Sequence, residues 1–151
     1  MRVNLGCGSY YLDGWLNVDA DVDVRADVHM DPVDFVRHSA DQADEVYLGD
    51  YLERIPVGDA VALLTLLRER LAAGTVVSAV VAGDQHWLLD VFGQAAFPGT
   101  EPIDLDDWEP TRAALDGPTP WTSGARAVAP GPGAAVDVAD RSDVGPHTLR
   151  S

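Results

Sequence analysis

"VNLGCGSYYLDGWLNVDAD", residues 3–21, decides the fold. Two apolar segments, RVNL (2–5) and WLNV (15–18), flank a short connection that carries Gly6, Gly8 and Gly14. The connection is too short for a full crossover helix, although parallel strands ordinarily need a crossover of a dozen or more residues. A glycine pair directly after a first strand lets backbone approach a ligand more closely than a Cβ would permit. An acid ending the second strand, Asp19, can accept hydrogen bonds from both hydroxyls of a ribose. In parallel α/β sheets, ligands sit beyond the carboxyl ends of the strands, where strand order reverses.

Outward from this stretch, ADVHM (26–30), DEVYL (44–48) and TVVSAVV (75–81) read as further short strands. The last is a near-continuous apolar run, as expected for a strand covered on both faces. GDAVALLTLLRERLAAG (58–74) is expected to be a helix with Asp59 as N-cap and Gly74 as its stop. Its apolar face comprises Ala60, Leu63, Leu64, Leu67 and Leu71. DPVDFVRH (31–38) is a second helix, with Asp31 as cap and Pro32 in the favoured first position. Strands alternating with helices define the fold class: an α/β, Rossmann-like, mainly parallel sheet.

The chain changes character near residue 95. Eight of the ten prolines lie beyond that point, in stretches such as DGPTPWTSG and APGPGAA. Residues 1–95 are therefore expected to form the α/β core. Residues 96–151 form a Pro/Gly-rich, loop-rich extension that completes or caps the same domain. Its candidate strand material is ARAVA (125–129), AAVDVAD (134–140) and HTLR (147–150).

At 151 residues one domain is expected. The solitary Cys7 has no internal disulfide partner, the first residues lack a signal-peptide pattern, and no apolar run reaches the length of a membrane span, so a cytoplasmic chain without membrane contact is expected. Its ten basic residues are all arginine, and the formal net charge is −15. Such a surface repels phosphate backbones and disfavours nucleic acid as a partner.

Spacing narrows the ligand. A dinucleotide loop reads G-x-G-x-x-G and places its acid about twenty residues on. Here Tyr11 stands where the third glycine belongs, and Asp19 follows Gly6 by only 13 residues. No G-K-[ST] follows the glycines, so a phosphate-cradling loop is absent too. The loop suits a ribose-bearing ligand without a pyrophosphate.

LGCG (5–8), GWLNVD (14–19), an acid after the third strand and DEVYLGDYLERIP (44–56) together resemble the class I S-adenosylmethionine-dependent methyltransferases. The similarity is greatest to the group that pairs L-G-C-G with G-W-x-N-x-D and shortens the first helix to a turn. It covers roughly residues 2–84. The resemblance implies strand order 3-2-1-4-5 and S-adenosylmethionine as cofactor. It further implies that Gly6 and Gly8 line the methionine portion, Asp19 holds the ribose, Met30 and Asp31 meet the adenine, and Gly49 and Asp50 face the sulfonium. The sequence departs from the pattern at Arg54, where the group commonly has histidine, in the reduced Ala73-Gly74 turn, and in the weak last strands.

Methyl transfer depends mainly on alignment, which supplies roughly 7–11 kcal/mol against some 3–5 kcal/mol from a general base. His86, after the fifth strand in AGDQHWLLD, is the best-placed base, because a histidine titrates near neutrality. His86 and Asp90 share a helix face but are two ligands only, so no metal site is expected. His29 is expected to pack within a strand, and Cys7 to be a small residue that fits the turn. Of the four tryptophans, Trp87 and Trp108 are placed to cover the crevice, and Tyr10 and Tyr11 to close over the cofactor.

Three functions fit these residues. The first is a methyltransferase for a small-molecule or glycan-like acceptor, alone or as a homo-oligomer or partner subunit. The second is a non-catalytic, methyltransferase-like remnant serving as a ligand-binding or assembly module. The third is another nucleoside-using enzyme on the same scaffold. An open cavity beside Gly49 and His86 favours the first, and a crevice filled by the chain's own side chains favours the second.

Overall fold

The computed structural model describes residues 1–105 and 120–133. Six strands form one sheet in the order β2-β1-β3-β4-β6-β5. They are β1 (Arg2–Leu5), β2 (Leu16–Val18), β3 (Glu45–Tyr47), β4 (Val76–Val81), β5 (Glu101–Ile103) and β6 (Ser123–Val128). β2, β1, β3 and β4 are parallel, whereas β6 runs antiparallel to both β4 and β5. The mainly parallel expectation therefore holds for the first four strands and is corrected at the β6–β5 edge. β6 overlaps the expected ARAVA. β5 comes from EPI, where sequence gave no strand signal, and AAVDVAD, HTLR, His147 and Trp108 lie outside the described residues.

The expected third strand, 26–30, shrinks to one parallel bridge between Val18 and Val28. The cause is local. Asp27 turns its carboxylate onto the Asn17 backbone N–H (2.8 Å), taking a position that a ladder carbonyl would otherwise fill. Val28 sits outside β2 through this bridge alone, so the sheet departs from the expected 3-2-1-4-5 order in losing that edge strand and in gaining the antiparallel β6 and β5. His29 is exposed rather than packed within a strand.

Three helices follow, α1 (Pro32–Ser39), α2 (Val57–Arg70) and α3 (Gln85–Gln94). α1 begins as expected, with Asp31 accepting the Val33 N–H (2.9 Å) and Pro32 in the first turn. α2 starts earlier than expected. The Pro56 carbonyl accepts the Ala60 N–H (3.0 Å), which makes Pro56 the cap and leaves Asp59 in the first turn, where it favours the positive end of the helix. The helix also ends at Arg70, before Gly74. Its expected apolar face is buried throughout: Ala60, Leu63, Leu64, Leu67, and Leu71 just beyond the end. Each buried leucine contributes about 1.5–3 kcal/mol relative to exposure.

All three helices pack on one face of the sheet. Side chains alternate along strands, and Val3, Leu5, Val18, Val46, Val77, Ala79, Val81, Ala125 and Ala127 share one core with Phe35, Leu64 and Phe92. The opposite face carries Tyr47 and Val80, covered among the described residues by Leu12, Trp15 and Trp121. No described helix is long and apolar enough to cross a membrane.

Candidate functional site

The connection between β1 and β2 contains no helix. Two buried asparagines do a helix's work of satisfying its backbone. Asn17 accepts the Leu12 N–H (2.9 Å) and donates to the Leu12 and Trp15 carbonyls (2.9 Å each). Asn4 donates to Asn17 Oδ1 (2.8 Å) and to the Tyr10 carbonyl (2.7 Å). Every one of these groups would cost free energy if buried unpaired. Tyr11 adds an outer stitch, its hydroxyl donating to Asp27 (2.6 Å) while Arg25 lies over its ring at 3.6 Å. Hydrogen bonds from Tyr11 and Asn17 hold the Asp27 carboxyl below the usual aspartate range, and the same bond to Asp27 raises the Tyr11 hydroxyl.

Gly6 and Gly8 adopt left-handed backbone, with φ of +72° and +53°. The Gly6 and Cys7 N–H groups donate to the Val18 carbonyl (2.8 and 3.1 Å), and Gly8 N–H donates to Asp19 Oδ2 (2.8 Å). Asp19 also accepts the Asp21 N–H at its other oxygen (2.9 Å), and its backbone carbonyl accepts the Met30 N–H (3.1 Å). The loop after β1, the end of β2 and Met30 are thus tied to one buried aspartate.

The next loop closes over this one. Gly49 turns with φ +51°, and Asp50 pairs with Arg54 (3.2 Å). Arg54 donates to the Gly6 carbonyl (2.6 Å), and the Tyr51 ring lies on Gly6 so closely that a Cβ there would sit 2.5 Å from it. Burial raises the Tyr51 hydroxyl, and the nearby charges of Asp31 and Asp19 act in the same direction. What stays open between Cys7, Gly8, Ser9, Tyr10, Asp50 and Arg54 is about 100 Å³. Pockets for whole small molecules run to about 300–1,000 Å³.

Sequence reasoning missed Tyr51 altogether and treated Arg54 only as a departure from histidine. The signal for Arg54 was its position four residues after Asp50, the spacing of a pair on one helical turn. Cys7 is buried, its thiol pushed up to about 11 by desolvation first and by Asp19 second, which suits a packing role rather than a nucleophile. Tyr10 stacks on Trp121 with ring centroids 4.6 Å apart. Trp15 is buried with Arg2 over its ring at 4.6 Å.

His86 lies away from the glycine loop, exposed in the first turn of α3, with its backbone N–H donating to Asp84 (2.9 Å). Beside it is a second, larger cleft of about 460 Å³, lined by Glu53, Val81, Asp84 and Trp87. Of the site residues expected from sequence, Gly6, Gly8, Asp19, Met30, Asp31, Gly49 and Asp50 converge on one corner of the sheet, and His86 stands apart. Among the described residues no group of three potential metal ligands occurs.

A mainly parallel sheet with a glycine loop after its first strand and a buried acid ending its second defines a Rossmann-like α/β fold. A solved S-adenosylmethionine-dependent methyltransferase from Archaeoglobus fulgidus superposes with a TM-score of 0.60 over 84% of this chain and 85% of its own, at 12% identity. At that identity the likeness establishes the fold. Magnesium protoporphyrin IX methyltransferase from Synechocystis PCC 6803, solved with bound S-adenosylmethionine, gives 0.49 over 85% of this chain and 69% of its own, at 14% identity. An antibiotic-related methyltransferase gives 0.49 over 84% and 86%, at 10% identity. No protein-family model and no curated protein matches the sequence.

Proposed function

We propose that the chain binds S-adenosylmethionine and transfers its methyl group to a small-molecule or glycan-like acceptor. The observation that carries this reading is the Gly8–Asp19 hydrogen bond, which joins the glycine loop to the acid ending β2 at the crevice where this fold binds its ligands. In this reading Gly6 and Gly8 receive the methionine portion, Asp19 the ribose, Met30 and Asp31 the adenine, and Gly49 and Asp50 the sulfonium end. The cofactor, when bound, supplies a methyl carbon activated by sulfonium: the acceptor–carbon bond forms as the carbon–sulfur bond breaks, its electron pair staying on sulfur.

The chain's own groups fit that ligand in charge and backbone. Asp19 retains acceptor capacity, because each carboxylate oxygen carries more than the one bond it makes here. The side chains above the loop are the obstacle, and Tyr51 and Arg54 must swing aside. His86 is the candidate to take the acceptor's proton.

The same two side chains favour the second reading, a remnant that no longer binds, because they fill the crevice over Gly6. Calorimetric titration with S-adenosylmethionine and S-adenosylhomocysteine separates the two. The expected outcome is saturable binding that Asp19→Ala weakens at least tenfold, about 1.4 kcal/mol, and that Arg54→Ala strengthens by removing the competing cation. Absence of binding to folded wild type and to folded Arg54→Ala at about 1 mM ligand, an affinity floor near 4 kcal/mol, would sink the methyltransferase reading and leave the remnant.

A further inference from the structure

The larger cleft shares no described lining residue with the small cavity at the glycine loop. Its volume, about 460 Å³, is that of a small-molecule site. It opens at the carboxyl end of β4, where the buried Val81 lines it and Trp87, half-buried on α3, supplies an indole and apolar surface. Two carboxylates complete the described wall. Glu53 is pinned across the gap between the loops by the Ala82 N–H (2.8 Å), and Asp84 by the His86 N–H (2.9 Å). Each bond uses one oxygen of its carboxylate, and the other oxygen keeps its acceptor positions.

The charge of a fitting ligand follows from these walls. The described lining contains no cation, and the chain has no lysine. Arg54, the arginine adjoining Glu53, is committed to Gly6 and Asp50. The start of α3 does not call for an anion, because Asp84 already caps it with a negative charge. An organic ammonium instead meets two carboxylates and an aromatic face that attracts cations electrostatically. Two carboxylates and an indole do not make a metal site, and the apolar surface asks for a carbon body beside the charge.

We infer that this cleft binds an amine carried on an apolar or aromatic body, recognised as its ammonium ion by Glu53, Asp84 and the Trp87 ring. As the acceptor site of a methyltransferase it rests on the function proposed above, and as a cation site it does not. An ammonium ion has no lone pair, so the bound amine gives up one proton, to His86 in the function proposed above, before the nitrogen–methyl bond forms. The product is a more substituted ammonium of the same charge, which the same walls tolerate.

The test uses the full chain and benzyltrimethylammonium, a cation that cannot titrate, with benzyl alcohol as the neutral comparison. Tryptophan fluorescence reports binding, and Trp87→Phe identifies the indole responsible. The expected result is saturable quenching by the cation, absent in Trp87→Phe, with benzyl alcohol binding at least about fivefold more weakly. The double variant Glu53→Gln, Asp84→Asn keeps both backbone hydrogen bonds and should lose at least about fivefold of the cation's affinity. Equal affinity for cation and alcohol in the wild type, unchanged affinity in the double amide variant, or no saturation would each overturn the inference. S-adenosylhomocysteine binding, measured on the same samples, keeps the two questions apart: cation binding without it removes only the acceptor role, and the converse removes only the cation site.

Discussion

The cleft at Gly6–Gly8 and the cleft at Glu53–Trp87 open on the same edge of one sheet and are built on opposite terms. Around the first, the chain answers its own polar groups: Asp19 takes two backbone N–H groups, Arg54 takes the Gly6 carbonyl, and the Tyr51 ring covers the loop, leaving about 100 Å³. Around the second, one oxygen of each carboxylate is tied to backbone while the indole and about 460 Å³ stay open. A ligand at the first must therefore displace protein, whereas a ligand at the second need displace only water. The two clefts meet at the Tyr51–Arg54 turn, which closes one with Arg54 and walls the other with Glu53.

The largest effect should come from the asparagine that holds the closed loop together. Asn17→Ala leaves the Leu12 N–H and Asn4 Nδ2 without this acceptor and the Leu12 and Trp15 carbonyls without this donor, all in a buried setting. The Leu12 carbonyl keeps the Trp15 N–H and Asn4 keeps the Tyr10 carbonyl, so two groups lose their partner, and at about 1–3 kcal/mol each a loss of about 2–6 kcal/mol in urea denaturation is expected. The open cleft should keep its cation affinity under conditions where the variant stays folded. A loss below about 1 kcal/mol would mean that the loop is held by its surroundings, and the contrast between the clefts would weaken.

Gly6→Ala should cost somewhat less. Left-handed backbone costs an L-residue about 1–2 kcal/mol, and the new Cβ would meet Tyr51 at 2.5 Å, forcing the ring away. Tyr51→Ala in the same chain should recover the ring's share while leaving the backbone share, a coupling that a double-mutant cycle measures directly. If Tyr51→Ala recovers nothing, the ring is not what closes the first cleft.

How far this contrast was legible in the sequence depends on the range of the forces that make it. α2 and β4 announced themselves through apolar spacing, and the Asp31-Pro32 start of α1 through cap chemistry, because those signals are local. That the glycine pair after β1 and the acid ending β2 meet was legible from residue type and order, and the Gly8–Asp19 hydrogen bond joins them. β5 was not legible, because three residues with one proline carry no period, and their pairing with β6 is set by a strand more than twenty residues away. The reduction of segment 26–30 to a bridge was equally hidden, since Asp27 reaching Asn17 is a tertiary choice of a side chain. Arg54 bonding to Gly6 spans 48 residues, which no local pattern reports.

The smallest effect tests the outer stitch of the closed loop by pH. Asp27 is exposed, and its carboxyl is held below the ordinary aspartate value chiefly by the Tyr11 hydroxyl and by Asn17. A carboxyl lowered in the folded state stabilises it above the unfolded value, near pH 3.9, and that contribution disappears as pH falls through the lower folded value. Asp27→Asn removes the titration, so the melting temperature of wild type should exceed that of the variant by a constant amount above about pH 5, and the gap should close below about pH 4. Solvent screening keeps the gap small, about 2 °C or less. A gap that persists unchanged to pH 2.5 would show that Asp27 acts through the shape of its bonds rather than its charge, and the outer stitch would then belong with the neutral asparagine lattice beneath it.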